Sequence, residues 1–165
     1  EVTTPVQEPV RAPATTDCAW PPPEADRLRV VVTGATGFLG SAVVRRLLAE
    51  GMHVTATGRD KAKGEALTAL GATFVAVDIT DCKAVEALCC GHHAVVHCAA
   101  LCNPWPSLWA GSSHAHEQAN VHGTASVLRA CTLAGVRRLV HISTPSLYFE
   151  PGGSSEGPHA AGVTV

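Results

Sequence analysis

Aromatic side chains are scarce in this 165-residue chain: three Trp, three Phe and a single Tyr, Tyr148. Charge of one sign is scarce as well. Twelve Lys and Arg stand against 14 Asp and Glu, a formal net charge of −2. With no basic or acidic block, the composition offers no footing for nucleic acid or a charged membrane surface. No apolar run approaches the ~20 residues that would span a bilayer. Lysine is missing beyond Lys83, an absence that bears on the chemistry below. The seven cysteines do not form a disulfide framework or a zinc pattern. Their number is odd, and Cys89, Cys90, Cys98 and Cys131 lie in apolar runs where a small thiol packs well. The pairs His92–His93 and His114–His116 have no Cys or His partners at finger-like spacing. They read as solvated loop histidines with no metal, and the cysteines as reduced thiols, which points to the cytoplasm. The chain opens on Glu1 rather than Met, which leaves open a targeting segment already removed.

What is present begins with a change of composition. Residues 1–27 hold six of the 11 prolines, among them Pro21-Pro22-Pro23, and show no periodicity; they read as a disordered, Pro-rich leader. From Leu28 onward, short β-branched runs alternate with amphipathic segments. Leu28 to Thr33 (LRVVVT), His53 to Thr57, Thr73 to Val77, Ala94 to Cys98 and Arg138 to Ser143 are the expected strands. Helices are expected after the first strand, where Leu39, Val43 and Leu47 recur at helical spacing, over Lys61 to Leu70, over Asp81 to Cys90, and from about His116 to Ala134. Strands alternating with helices imply parallel pairing through right-handed crossovers. The expected fold is α/β, a doubly wound parallel sheet (Rossmann fold) of about five strands over residues 28–149. Residues 150–165, rich in Pro, Gly and Ser, read as a disordered tail.

The strongest motif is Thr33-Gly34-Ala35-Thr36-Gly37-Phe38-Leu39-Gly40, directly after the first strand and opening the first helix. Gly34 suits a tight turn, Gly37 lets backbone approach a pyrophosphate, and Gly40 lets helix and sheet pack closely. The helix N-terminus adds unbonded N–H groups and a positive dipole end. At the end of the second strand, an acidic side chain would hydrogen-bond the ribose 2′-OH of NAD. Gly58 followed by Arg59 stands there instead, and a guanidinium suits a 2′-phosphate, although Asp60 beside it weakens that case. The motif therefore favours NADP, with NAD as the alternative.

The spacing G-x-x-G-x-x-G after Thr resembles the short-chain dehydrogenase/reductase superfamily. The TGATGFLG form is similar to its extended branch, the NAD-dependent epimerase/dehydratase superfamily. The resemblance runs from about Leu28 to Phe149. It implies cofactor contacts at Thr33, Gly34, Thr36, Gly37, Phe38, Leu39 and Gly40. It also implies that Asp78 contacts the adenine with Ile79 against the ring, although Asp78 also reads as a helix cap, and that Cys98-Ala99-Ala100 passes close under the cofactor. Asn120-Val121-His122-Gly123-Thr124 is similar to the family's N-V-x-G-T, in which Asn120 would help organise the active site. His141-Ile142-Ser143-Thr144-Pro145-Ser146-Leu147-Tyr148 looks like the segment whose hydroxyl meets the substrate's reacting oxygen, a role that falls to Thr144.

The Tyr-x-x-x-Lys pair that moves the proton in this family is missing: Gly152 stands four residues beyond Tyr148. The resemblance thus implies a C-terminally truncated chain without the later strands and the substrate lobe, and without the usual dimer. The apolar segment from Leu101 to Trp109 is similar to 3β-hydroxysteroid dehydrogenase/isomerase-like members. This implies an NAD(P)-dependent oxidoreductase acting on a small apolar secondary alcohol or ketone, a sterol among them, whose cofactor-binding part is this chain. Trp105 and Trp109 equally read as residues packing a loop onto the sheet. Two other expectations stand beside it: a sugar-nucleotide epimerase or dehydratase, and a non-catalytic NADP-binding module or inactive product.

Overall fold

The structure, a computed structural model, describes residues 27–102 and 112–144. The expected leader, most of the Trp-bearing segment, Tyr148 and the expected tail lie outside the described residues. Five strands, β1 (Arg29–Thr33), β2 (His53–Gly58), β3 (Thr73–Ala76), β4 (Ala94–His97) and β5 (Arg138–His141), form one sheet in the order β3-β2-β1-β4-β5. All four pairings are parallel, as the α/β alternation requires. The order reverses between β1 and β4, and a ligand crevice opens at the carboxyl ends of strands at such a point.

β1 is central, and its consecutive valines serve opposite faces because strand side chains alternate. Val30 and Val32 pack with Val44 of helix α1 (Phe38–Ala49) and Leu67 of α2 (Lys61–Thr68). Val31 packs on the other face with Val85 and Leu88 of α3 (Cys82–Cys89) and with Val127 and Ala130 of α5 (Gly123–Leu133). Each fully buried valine contributes about 1.5–3 kcal/mol through burial. Both faces of the sheet are thus covered, which explains a first strand that reads as an unbroken apolar run.

Three sequence expectations change. The helix expected from about His116 begins earlier, with α4 (Ser112–His116), and passes into α5 through a π-helical turn over Glu117–His122. There the Gly123 N–H reaches back to Gln118 O, a widened turn that 3.6-residue periodicity cannot reveal. The histidines at 92 and 93 are half-buried and bonded rather than solvated. His92 Nε2 meets Thr55 Oγ1 at 2.8 Å, and His93 Nδ1 accepts the Arg29 N–H at 3.0 Å. Finally, Cys82, Cys89, Cys98, Cys102 and Cys131 are free thiols, but Cys90 is disulfide-bonded. Cys90 caps the end of α3 with extended backbone, ψ 130, and so leaves the apolar packing that holds Cys89.

Candidate cofactor cleft

The turn between β1 and α1 is set by backbone. Gly34 has φ +65, and a Cβ there would stand 2.7 Å from both Cα and N of Ala99. Gly40 lies under the same turn, where a Cβ would stand 2.2 Å from Gly34 O. These contacts are with main chain, which cannot rotate aside. The Gly37 N–H closes the turn on Gly34 O at 3.0 Å. Gly37 then caps α1 with no side-chain hydrogen bond. The Ser41 N–H is bonded to Gly37 O at 3.0 Å, while helix geometry leaves those of Phe38, Leu39 and Gly40 without intrahelical acceptors. An open helix end of this kind attracts an anion.

A cleft of ≈ 580 Å³ lies over this turn. Gly34, Thr36, Gly37, Arg59, Asp78, Ile79, Cys98, Ala99 and Ala100 line it, so the structure brings together nine of the predicted positions. Four others lie apart from its lining. Thr33 is buried beneath it, Gly40 is packed under the turn, and Phe38 (97% exposed) and Leu39 carry their side chains outside it. Lys63, Thr57, Gln118 and Ala119 also line the cleft, and the motif did not point to them. Lys63 reads in sequence as an ordinary exposed helix lysine, and the last two sit on the π turn.

At the β2 end, a side chain at position 58 would meet Thr36 Oγ1 at 2.6 Å, so Thr36 occupies the place of an acidic residue. Asp60 is turned away into the cap of α2, where Oδ1 accepts the Lys63 N–H at 3.1 Å. That bond holds its carboxyl below the usual range. Lys63 Nζ lies 3.4 Å from Asp60 Oδ2 in an exposed pair, an arrangement too weak to fix the ammonium. Asp78 Oδ1 accepts the Thr80 N–H at 3.0 Å and the Thr80 hydroxyl at 2.8 Å. These bonds, helped by the charge of Arg59, keep Asp78 ionised. The cap of α3 is Asp81, which accepts from the Ala84 N–H, so Asp78 does not have that task. Burial pushes the Cys98 thiol up, which makes it lining rather than a nucleophile.

Asn120 lies on the π turn and clasps a single residue across 19 positions. Its Oδ1 accepts the Leu101 N–H at 2.7 Å and its Nδ2 donates to Leu101 O at 3.1 Å. The chain leaving β4 is thereby fixed along the cleft wall. Thr144 is exposed, three residues past the end of β5, and is not part of the cleft lining. Among the described residues, no three His, Cys, Asp or Glu side chains converge as a metal site would require, and no helix is long and apolar enough to cross a membrane.

The residues present fit a dinucleotide. Gly37 presents bare backbone to the cleft, the helix end is uncapped, and Thr57 Oγ1, buried on the cleft wall, has no partner among the described residues. Fold and cleft together define a nucleotide-binding Rossmann domain. Residues 30–161 match the model of the NAD dependent epimerase/dehydratase family, and the chain belongs to that family. The match runs beyond Phe149, where the sequence resemblance was expected to end. The chain is 38% identical over 125 residues to an uncharacterised protein of Escherichia coli strain K12, covering 74% of this chain and 36% of that protein. It is 38% identical over 120 residues to a 2-alkyl-3-oxoalkanoate reductase of Stenotrophomonas maltophilia, covering 73% and 34%. Among solved structures, the UDP-glucose-4-epimerase of Stenotrophomonas maltophila with bound NAD superposes with a TM-score of 0.66 at 26% identity, over 78% of this chain and 40% of that one. The chain therefore spans about a third of the length of these curated relatives.

Proposed function

We propose that this chain is the cofactor-holding part of an oxidoreductase that interconverts a secondary alcohol and a ketone, with NADP preferred over NAD. The observation that carries the proposal is the β2 end of the cleft, where Thr36 fills the acidic position and Arg59 and Lys63 line the wall while Asp60 is committed to a helix cap. Lys63 has Asp60 beside it and Arg59 has Asp78, but both carboxylates are engaged in local backbone hydrogen bonds, and two cations on that wall favour a 2′-phosphate over a 2′-OH. When bound, the nicotinamide supplies or accepts the hydride. The turn from Gly34 to Gly37 and the first N–H groups of α1 hold the pyrophosphate. Asp78 and Ile79 flank the adenine. Asn120 fixes the Leu101 peptide beside the reacting end, and Thr144 offers its hydroxyl to the substrate oxygen.

A relative named as a reductase of 2-alkyl-3-oxoalkanoates supports a ketone on an apolar chain, and the presence of Leu101 on the cleft wall agrees with an apolar substrate. A sterol belongs to the same chemical class. The likeness to a UDP-glucose-4-epimerase favours a second reading, a sugar-nucleotide epimerase. The domain bounds expected from sequence, 28–149 with flanking leader and tail, belong to this proposal too, as does a cytoplasmic location.

Calorimetric titration of the 165-residue chain with NADPH and NADH tests the cofactor assignment. NADPH is expected to bind about tenfold more tightly, the worth of one charge-assisted contact. Arg59→Ala together with Lys63→Ala should bring the two affinities together. Tighter binding of NADH overturns the preference, and binding of neither overturns the assignment of the cleft.

A further inference from the structure

Polar side chains cross the sheet in one row at the carboxyl ends of its strands. Thr57, Thr33, His97 and His141 are register partners on β2, β1, β4 and β5. Thr33 and His97 are each only 1% exposed, and among the described residues no other fully buried side chain is as large as His97. Burying an imidazole in an apolar layer is costly unless both nitrogens are bonded. Both are. Nδ1 lies 2.6 Å from Thr33 Oγ1, and Nε2 lies 3.1 Å from Thr124 Oγ1 on α5. His141 stacks on the ring, with centroids 5.2 Å apart.

The direction of these bonds follows from a third. Thr33 Oγ1 also accepts the Ala99 N–H at 3.3 Å. If Nδ1 carried a proton, Thr33 would accept twice and its own hydroxyl hydrogen would have no acceptor among the described residues. Thr33 therefore donates to Nδ1, and Nε2–H donates to Thr124, which fixes the neutral tautomer. The chain of bonds ends at the Ala99 peptide, the same peptide that a Cβ on Gly34 would strike.

We propose that His97 is a positioning residue for cofactor binding. From the apolar face of the sheet it orients the Thr33 hydroxyl, which holds the Ala99 peptide and so fixes the cleft wall facing the phosphate turn. The inference rests on the reading that this cleft holds a dinucleotide. It also changes the part played by Thr33, which acts through Ala99 rather than by touching the cofactor.

The test pairs NADPH titration with ¹⁵N NMR of the histidines in the 165-residue chain. His97→Asn keeps a carboxamide oxygen near the level of Nδ1 and should bind within about threefold of wild type. His97→Gln reaches only the Thr124 side, and His97→Leu reaches neither partner; both should weaken binding about tenfold, the effect of losing one buried bond. If the leucine variant fails to fold, Thr33→Val against Thr33→Ser makes the same comparison, with loss expected in the first and rescue in the second. NMR should show His97 protonated at Nε2 and bare at Nδ1. A protonated Nδ1, or wild-type affinity in all folded variants, overturns the role of His97 alone. A wild-type chain that binds neither nucleotide overturns the cofactor reading, and the role with it, before any variant is made.

Discussion

The phosphate end of the cleft and the end beneath β4 and β5 are held together by different means. At the first, Gly34, Gly37 and Gly40 act through side chains they do not have, and the contacts are main chain against main chain, within the turn for Gly37 and Gly40 and across to Ala99 for Gly34. At the second, Thr33, His97, Thr124, Asn120 and Leu101 act through side-chain hydrogen bonds between residues 19 to 66 positions apart. Local backbone geometry tolerates no substitution, because the main chain cannot rotate away. A hydrogen-bonded network tolerates replacements that keep the right donor or acceptor.

The largest effect should come from Gly40→Ala. Its Cβ would lie 2.2 Å from Gly34 O and 2.7 Å from Gly34 C, so the turn and helix must separate. We expect a destabilisation of about 3 kcal/mol or more, a melting temperature lower by about 10 °C or more, and no detectable nucleotide binding. Gly51→Ala provides the contrast. Gly51 has a positive φ, +76, which helical Gly40 does not, and nothing lies within 4 Å of its Cβ, so only the left-handed backbone cost of about 1–2 kcal/mol applies. Thermal melts of the two variants distinguish close approach from conformation. Similar losses in both would show that the phosphate end is not defined by packing against Gly34.

The next effect belongs to the other end and depends on pH. Burial, with a smaller contribution from the charge of His141, lowers the His97 pKa to about 4, whereas an unfolded histidine titrates near 6.5. Between these values the unfolded chain binds more protons than the folded one, so stability rises with pH. It is complete above about pH 6.5 and is lost progressively as pH falls toward 4. The loss amounts to about 3 kcal/mol at most. Denaturant melts across this range should show that slope, and His97→Asn should flatten it. An unchanged slope in the variant would assign the acid sensitivity to other groups.

The same contrast explains what was legible in the sequence. The glycine turn, the alternation of parallel strands with helices and the burial of β1 on both faces follow from local pattern, because spacing and periodicity report contacts made within one β-α unit. Gly58 and Arg59 could be read for the same reason. Lys63 could not, since only the turn of α2 brings it to the cleft wall. The link from His97 to Thr33 and Thr124 was invisible because a histidine ending an apolar strand looks like any strand terminus. Asn120 was found only by resemblance, and the π turn that carries it breaks the helical period on which a sequence reading relies.

Asn120 should give the smallest of these effects on stability, although it is a sharp test of the contrast. The residue is exposed, so water replaces part of what is lost, and Asn120→Ala should cost only about 1 kcal/mol. The effect should concentrate on one place: the Leu101 amide, donor to Asn120 Oδ1 at 2.7 Å, should lose its protection from hydrogen exchange while amides in β1 keep theirs. Asn120→Asp separates the two halves of the clasp. Its carboxylate still accepts the Leu101 N–H, but it sets an oxygen against Leu101 O where an N–H donated before. Protection should therefore recover only in part. If Leu101 exchanges equally slowly in all three proteins, the wall beneath β4 is held by main chain, as the phosphate end is, and the distinction between the two ends disappears.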